Sequence, residues 1–303
     1  MQQPTAPAQQ PPATAGQPAA APPRPLPPTG TQPVPSGSAS ARLPAAPDTT
    51  DYKKQARNCV VPESLLSAPA RLPGLTAALV RGKGDLLVLV LGSESTNPNT
   101  PLKGGLAALR KSAQPKQTPF AARLESRLTY DLPPMPKRAI RVESIGRRNA
   151  TVGEQAALIG KQVLPRKPAL VIWNIGRADA RRGMPPARMA RALDKGLEQL
   201  RKQNIDTIVL DPPYHPQFEA LYRTDDYRQY LRWTMNLHDQ PMMRRHDMID
   251  YWASTGRIDL DSGDAGRQET AVVFTETCIA YQLSRMIDKS LDRGMASSRA
   301  QPR

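Results

Sequence analysis

Histidine is scarce. The chain of 303 residues has three, His215, His238 and His246, and none follows position 246. Chemistry that draws a general base from an imidazole near the carboxyl end is therefore excluded by composition alone. Cysteine is scarcer, with only Cys59 and Cys278. Two thiols so far apart are too few for a zinc site, and they leave one disulfide or two buried thiols open. Long apolar runs are lacking too: no stretch approaches the roughly 20 residues of a membrane-spanning helix. No basic segment followed by an apolar run opens the chain, so no secretory leader is visible. Aromatic residues make up 5 % of the chain, and none occurs before Tyr52.

Proline is abundant, with 33 residues, many of them in the first fifty positions beside Ala, Gln, Ser and Gly. That composition cannot bury enough apolar surface to offset its ordering entropy, so residues 1–50 are expected to form a disordered, partly polyproline tail. Such tails commonly follow a cleaved export signal, which leaves a periplasmic setting open beside a cytoplasmic one. The remainder, 51–290, is long enough for a single α/β domain, and 291–303 is expected to be a disordered basic tail. Lys and Arg number 42 against 27 Asp and Glu, a net charge of +15. Nearly all of the excess lies outside the first fifty residues. A domain so basic attracts polyanions, although high Arg content also arises from solubility and genome composition.

Three apolar runs read as buried strands: LLVLVL at 86–91, ALVIWN at 169–174 and DTIVL at 206–210. AIRVES at 139–144 alternates like a strand, and PMM at 241–243 is a short one. Helical periodicity is expected over 118–129, 153–164, 186–203, 225–238, 246–254 and 271–289, the last with Val272, Val273, Ile279, Leu283 and Met286 facing the core. The polar stretch 97–117 reads as a surface loop with a helical turn near Leu106 to Leu109. Strand and helix alternate throughout, which predicts a three-layer α/β/α fold around a mostly parallel sheet of roughly five strands. Trp173, Trp233, Trp252, Tyr227 and Tyr230 have the spacing of core or partly buried packing.

The order of the turns resembles that of the SGNH/GDSL hydrolases, flavodoxin-like esterases and acyl hydrolases whose chemistry sits on four loops at the carboxyl ends of strands. LGSEST at 91–96 is similar to the nucleophile turn, ESIGRRNA at 143–150 to the second block and LVIWNIGRADARRG at 170–183 to the third. LDPPYHP at 210–216 and MMRRHDMIDYW at 242–252 resemble framework stretches of an exported bacterial subgroup. Cys59 and Cys278 fall where that subgroup has cysteines, so the resemblance implies a Cys59–Cys278 disulfide and an exported protein.

The functional positions depart from the family pattern. Glu94 occupies the nucleophile position, and a carboxylate has no hydroxyl to activate. Asn149, next to Arg148, stands where an oxyanion Gly is expected, and Ala178 where an oxyanion Asn is expected. Losing one such donor costs about 2.7–4 kcal/mol of barrier height. Arg267 and Thr270 occupy the region of the D-x-x-H pair. These substitutions imply a non-catalytic binding or accessory module. The alternative is an active ester or acyl hydrolase that uses Ser93 or Ser95 with His215 as a substitute base. Glu94 with Asp179 would suggest a two-carboxylate or divalent-metal site, but neither has partners at diagnostic spacing, and Asp179 is equally explained as a turn cap. No cofactor is called for. Arg147, Arg148, Arg177, Arg181 and Arg182 cluster in the second and third crevice loops. Guanidinium groups converging on one cleft favour an acidic sugar polymer, a phosphorylated headgroup or a nucleotide, whereas side chains fanning outward would be surface charge. Nucleic acid rests on charge alone, since no aromatic platform or helix-turn-helix is present.

Overall fold

Leu86–Gly92 forms β1, and its side chains divide by parity. Leu86, Val88 and Val90 enter one apolar layer, Leu89 and Leu91 the other. A strand covered on both faces has to be apolar at every position, which is why this run does not alternate with polar residues. β3 (Leu170–Asn174) and β4 (Asp206–Leu210) are likewise buried throughout, with Asn174, Asp206 and Thr207 their polar members. The edge strand β2 (Ile140–Ile145) exposes Arg141, and β5 is only Met242–Met243. The sheet order is β2-β1-β3-β4-β5, and every pairing is parallel.

The computed structural model describes residues 49–66, 71–82, 84–92, 118–133, 138–147 and 149–300, with side chains from 52 to 292. They belong to one compact unit, Ala46–Arg303. Ser93, Glu94, Ser95, Arg148 and the turn expected near 106–109 lie outside the described residues.

One face of the sheet is covered by α1 (Thr49–Asn58), α2 (Pro73–Arg81), α3 (Pro119–Asp131), α9 (Arg245–Ser254) and α10 (Ala265–Ala300). The other is covered by α4 (Val152–Leu158), α6 (Pro186–Arg201) and α8 (Asp225–Leu237). Short helices α5 (Ala178–Arg181) and α7 (Pro216–Leu221) follow β3 and β4. Packing on the second face centres on Trp173, whose indole N–H donates to Gln155 Oε1 at 2.7 Å. The ring lies against Gly196, where a Cβ would come within 2.3 Å of it, so α6 can approach the sheet only with glycine there.

Cys59 and Cys278 form a disulfide that ties the segment after α1 to α10. Arg127 sits among the rings of Tyr52, Tyr130 and Tyr281 and pairs with Asp131, which packs α1 against α3 and α10. Among the described residues no helix is long and apolar enough to cross a membrane.

Several elements differ from expectation. The helix anticipated over 153–164 ends at Leu158, continues as a π turn over Ile159–Val163 and a 3-10 turn over Leu164–Arg166, and stops at Lys167 in the left-handed region. Pro165 and Pro168 prevent a regular exit. The last helix spans Ala265–Ala300 in place of 271–289, and Leu291 is buried, so the tail expected from 291 begins as helix. Val273 is 42 % exposed and Trp233 68 % exposed, both facing outward from helices whose neighbours in sequence fill the core. Periodicity assigns a face only to within a residue or two, and these two sit at its margin.

Candidate functional site

The carboxyl ends of β1, β2 and β3 meet at unusually short range. Gly92 has φ 143°, and a Cβ there would lie 2.2 Å from Asn174 O. A Cβ on Gly146 would lie 1.5 Å from Gly92 O. The carboxyl ends of β1 and β2 thus pass backbone against backbone, and both positions require glycine.

Behind this junction stands a polar lattice. Arg245, at the start of α9, is fully buried; Nη1 donates to Asn174 Oδ1 at 2.5 Å, Nε to Asp211 O at 2.8 Å and Nη2 to Ile175 O at 2.8 Å. One guanidinium therefore joins the ends of β3, β4 and β5. Burial pulls it down to about 10, so it stays charged at neutral pH. Asp211 Oδ1 in turn accepts from His246 N at 2.9 Å. Neither Arg245 nor Asn174 was singled out from sequence, although the MMRRHD stretch beside a Pro-rich strand end was the available signal.

Burial also pushes the Asp211 carboxyl up from 3.8 to about 6, against the pull of His246 N–H and Arg245. A carboxyl whose folded value exceeds its unfolded one binds extra protons when folded, so its contribution to stability is complete below about pH 4 and is lost as pH rises through about 6. Asp211→Asn keeps the acceptor and removes the titration. The stability of the native protein relative to this variant is expected to fall between about pH 4 and 6, in urea unfolding at a series of pH values. A constant difference would refute the assignment.

The three imidazoles are separated. His238 Nε2 meets Asp194 Oδ1 at 2.6 Å. His246 Nδ1 lies 2.9 Å from Arg228 Nη1 and 3.3 Å from Asp247, while Nε2 lies 3.3 Å from Glu219. Burial lowers its pKa, but the bonds to Asp247 and Glu219 outweigh that and raise it. Arg228 and Arg244 complete the pairing of Asp247. His215 alone faces the crevice cavity. Burial and then the Arg177 charge depress its pKa, so it is neutral.

That cavity, of about 50 Å³, lies between the ends of β3 to β5 and the first turns of α10. Arg177, His215 and Tyr214 contribute from the strand side, and Gln268, Ala271, Val272 and Thr275 from α10. Phe120, Ile249, Leu260 and Ile279 make much of the remaining wall apolar. Arg177 is 8 % exposed and stacks on Phe218, its Cζ 4.7 Å from the ring centroid. Among the described residues its guanidinium has no hydrogen-bond acceptor, and Nη1 is sealed from solvent. Desolvation, then the nearby Arg181, pulls it down to about 10.

The other anticipated residues fall elsewhere. Arg147 and Arg182 pair with Glu154, and Arg181 Nη2 donates to Asn149 Oδ1 at 2.7 Å, all on the exposed rim. Arg182 also donates to Asn149 O. These contacts clamp the second loop to the third, so the four described arginines do not converge: three are engaged at the rim and Arg177 is buried alone. The physical reason is that Glu154, the capping-box residue of α4, draws Arg147 and Arg182 to the rim, while Asn149 takes Arg181 there. Ala178, buried, offers no side-chain donor. Asp179 accepts from Val152 N at 2.9 Å and so acts as a tie between loops. Arg267 is exposed near Asp259, and the Thr270 hydroxyl donates to Gly266 O, so neither faces the cavity; their helix neighbours Gln268 and Ala271 do. Among the described residues no cluster of three or more His, Cys, Asp or Glu could hold a metal ion. The opposite end of the sheet, at the amino ends of the strands, carries a wider groove with Arg81, Arg138, Lys167 and Arg201. Arg81 and Arg201 lie in the last turns of α2 and α6, Lys167 caps a 3-10 turn, and Arg138 donates to the carbonyls that end α2, placements the helix dipole accounts for.

Comparison with known proteins places this arrangement. The Non-GDSL lipase-like family matches residues 58–293. No curated protein matches the sequence. Among solved structures, a G-D-S-L family lipolytic protein from Desulfitobacterium hafniense DCB-2 is similar over 67 % of this chain and 99 % of its own, at 13 % identity and a TM-score of 0.49. A catalytic mutant of the acetylxylan esterase Axe2 from Geobacillus stearothermophilus is similar over 68 % of this chain and 96 % of its own, at 16 % identity and a TM-score of 0.49. A lipase/acylhydrolase from Enterococcus faecalis is similar over 66 % and 96 %, at 13 % identity and a TM-score of 0.45.

Proposed function

Because the chain belongs to the Non-GDSL lipase-like family and has the α/β fold of SGNH hydrolases, we propose that it binds an anionic ligand in the crevice where its relatives cleave esters, as a non-catalytic binding or accessory module. The observation that carries this reading is Arg177, a buried cation with no acceptor among the described residues, on the wall of the crevice cavity. A buried cation left without a hydrogen-bond acceptor is costly even with the Glu219 carboxylate acting on it electrostatically, and an anion supplied from outside relieves that cost. Glu94 at the family nucleophile position and the engagement of His238 and His246 with carboxylates support the loss of hydrolysis. The disulfide supports an exported setting, because such bonds persist in oxidising compartments.

A specific observation favours the second reading, an active hydrolase: His215 is unprotonated and shares the cavity with Arg177. A neutral imidazole can take the proton of Ser93 or Ser95. Turnover of p-nitrophenyl acetate distinguishes the two. The binding reading expects a rate at the uncatalysed background, unchanged in Ser93→Ala, Ser95→Ala and His215→Ala. A rate above background that either serine substitution abolishes would establish the hydrolase instead.

A further inference from the structure

The cavity around Arg177 discriminates among anions by charge, size and wall. Among the described residues one guanidinium on its wall, that of Arg177, has no hydrogen-bond acceptor, although the Glu219 carboxylate acts on it electrostatically. Arg245 also lines it, but its guanidinium is occupied by Asn174 and by the carbonyls of Ile175 and Asp211. Two carboxylates share the lining: Glu276, 3.5 Å from Arg123, and Asp259, 3.9 Å from Arg267 at the rim. Both carboxylates are already paired with arginines, so a second negative charge on the ligand would find no further free guanidinium among the described residues. A monoanion would be neutralised by Arg177 alone.

Size restricts the choice further. About 50 Å³ is several times the roughly 10–15 Å³ that one water requires. It is too small for a sugar polymer or a nucleotide, whose sites run to about 300 Å³ and more. The remaining wall, built largely from Phe120, Ile249, Val272 and Ile279, would reward a short hydrocarbon chain and leave a second polar end unsatisfied. The polar groups that α10 contributes are tied to backbone carbonyls: Thr275 Oγ1 donates to Ala271 O and Gln268 Nε2 to Ser262 O, each at 2.7 Å.

We propose that the cavity is a site for a short-chain aliphatic monocarboxylate, of acetate to butyrate size, whose carboxylate is taken by the Arg177 guanidinium and whose hydrocarbon end rests on Phe120, Ile249, Val272 and Ile279. The assignment rests on the anion-binding reading above and narrows it. Arg177 has its Cζ 4.7 Å from the Phe218 ring centroid, a cation–π contact that holds the guanidinium at the cavity wall, where its fork can take a carboxylate.

The test is isothermal titration of the full chain with acetate, propionate and butyrate, beside inorganic phosphate, glucuronate and the uncharged isostere propionamide. A ligand of so few atoms is expected to bind in the millimolar range, with propionate tighter than acetate and propionamide not detectable. Arg177→Gln is expected to weaken propionate at least about tenfold, the loss of a hydrogen bond to a charged group. Val272→Phe, which fills the cavity and leaves the guanidinium untouched, is expected to abolish butyrate binding; it carries the test should Arg177→Gln not fold. Carboxylate binding of equal strength in both variants overturns the proposal. Phosphate or glucuronate bound through Arg177, with no carboxylate bound, overturns the ligand class and leaves the anion-binding reading standing. No anion whose binding depends on Arg177 overturns both.

Discussion

Replacing Arg245 with Met is expected to lower the unfolding free energy by about 3–5 kcal/mol, the largest effect of any single substitution considered for this protein. Exchanging both members of a buried ion pair for apolar residues is often neutral, because the desolvation of both charges is recovered together. That route is closed here, since two of the three acceptors of Arg245 are the backbone carbonyls of Ile175 and Asp211, which no substitution removes. Methionine fills the space of the aliphatic stem but is three heavy atoms smaller, so the effect combines the lost donors with some lost packing around the guanidinium site. Asn174 Oδ1 and the two carbonyls would be left buried, and the Asp211 carboxyl would lose its nearby cation. Urea unfolding monitored by far-UV circular dichroism would show the midpoint falling at an unchanged slope. A loss below about 1 kcal/mol would mean that water reaches these groups and that the lattice does not hold the strand ends together.

Opening the Cys59–Cys278 bond is expected to cost about 2–5 kcal/mol. The bond closes a segment with a sequence separation of 219, near the upper end of what loop-closure entropy can contribute. It also holds a structural seam: Gln282 Nε2 donates to Cys59 O, Trp252 Nε1 donates to Val60 O, and Arg257 Nη1 donates to Asn58 O. These bonds bring α9, α10 and the loop between them onto the segment that follows α1. Denaturation of the native protein with and without reductant, beside the Cys59→Ala/Cys278→Ala double variant, measures the contribution. The reduced protein and the double variant should coincide, and both should unfold at lower denaturant than the oxidised protein. Equal midpoints would show that the seam is held by packing and hydrogen bonds without the covalent link. Because Thr275 and Ile279 flank Cys278 on α10 and line the cavity, carboxylate binding should weaken along with stability.

The strand runs were legible because each is largely apolar on both faces, a pattern suited to a doubly covered strand, and β1, β3 and β4 occur where those runs lie. Helix ends were less so. Pro165 and Pro168 sit inside or just after a periodic stretch and turn its last part into π and 3-10 turns, a local backbone effect that periodicity does not register. The crevice loops were located by resemblance, but what each side chain there does was not. Five arginines in two loops looked alike as letters. Glu154, recruited to cap α4, draws Arg147 and Arg182 to the rim, while Arg177, one residue before α5, turns inward onto Phe218. Phe218 is 41 positions away in sequence.

By itself the amino-acid sequence determined the class of the fold, the parallel sheet and the scarcity of imidazole, because these follow from short-range composition and spacing. The pairing of the two cysteines was implied by family resemblance only. Tertiary structure decided that Arg245 spans three strand ends, that Gly92 and Gly146 touch through their backbones, and that one arginine of a cluster is buried without an acceptor. Those properties depend on which distant segments the fold brings to one point, and on which charges it removes from water, and neither quantity is local to the chain.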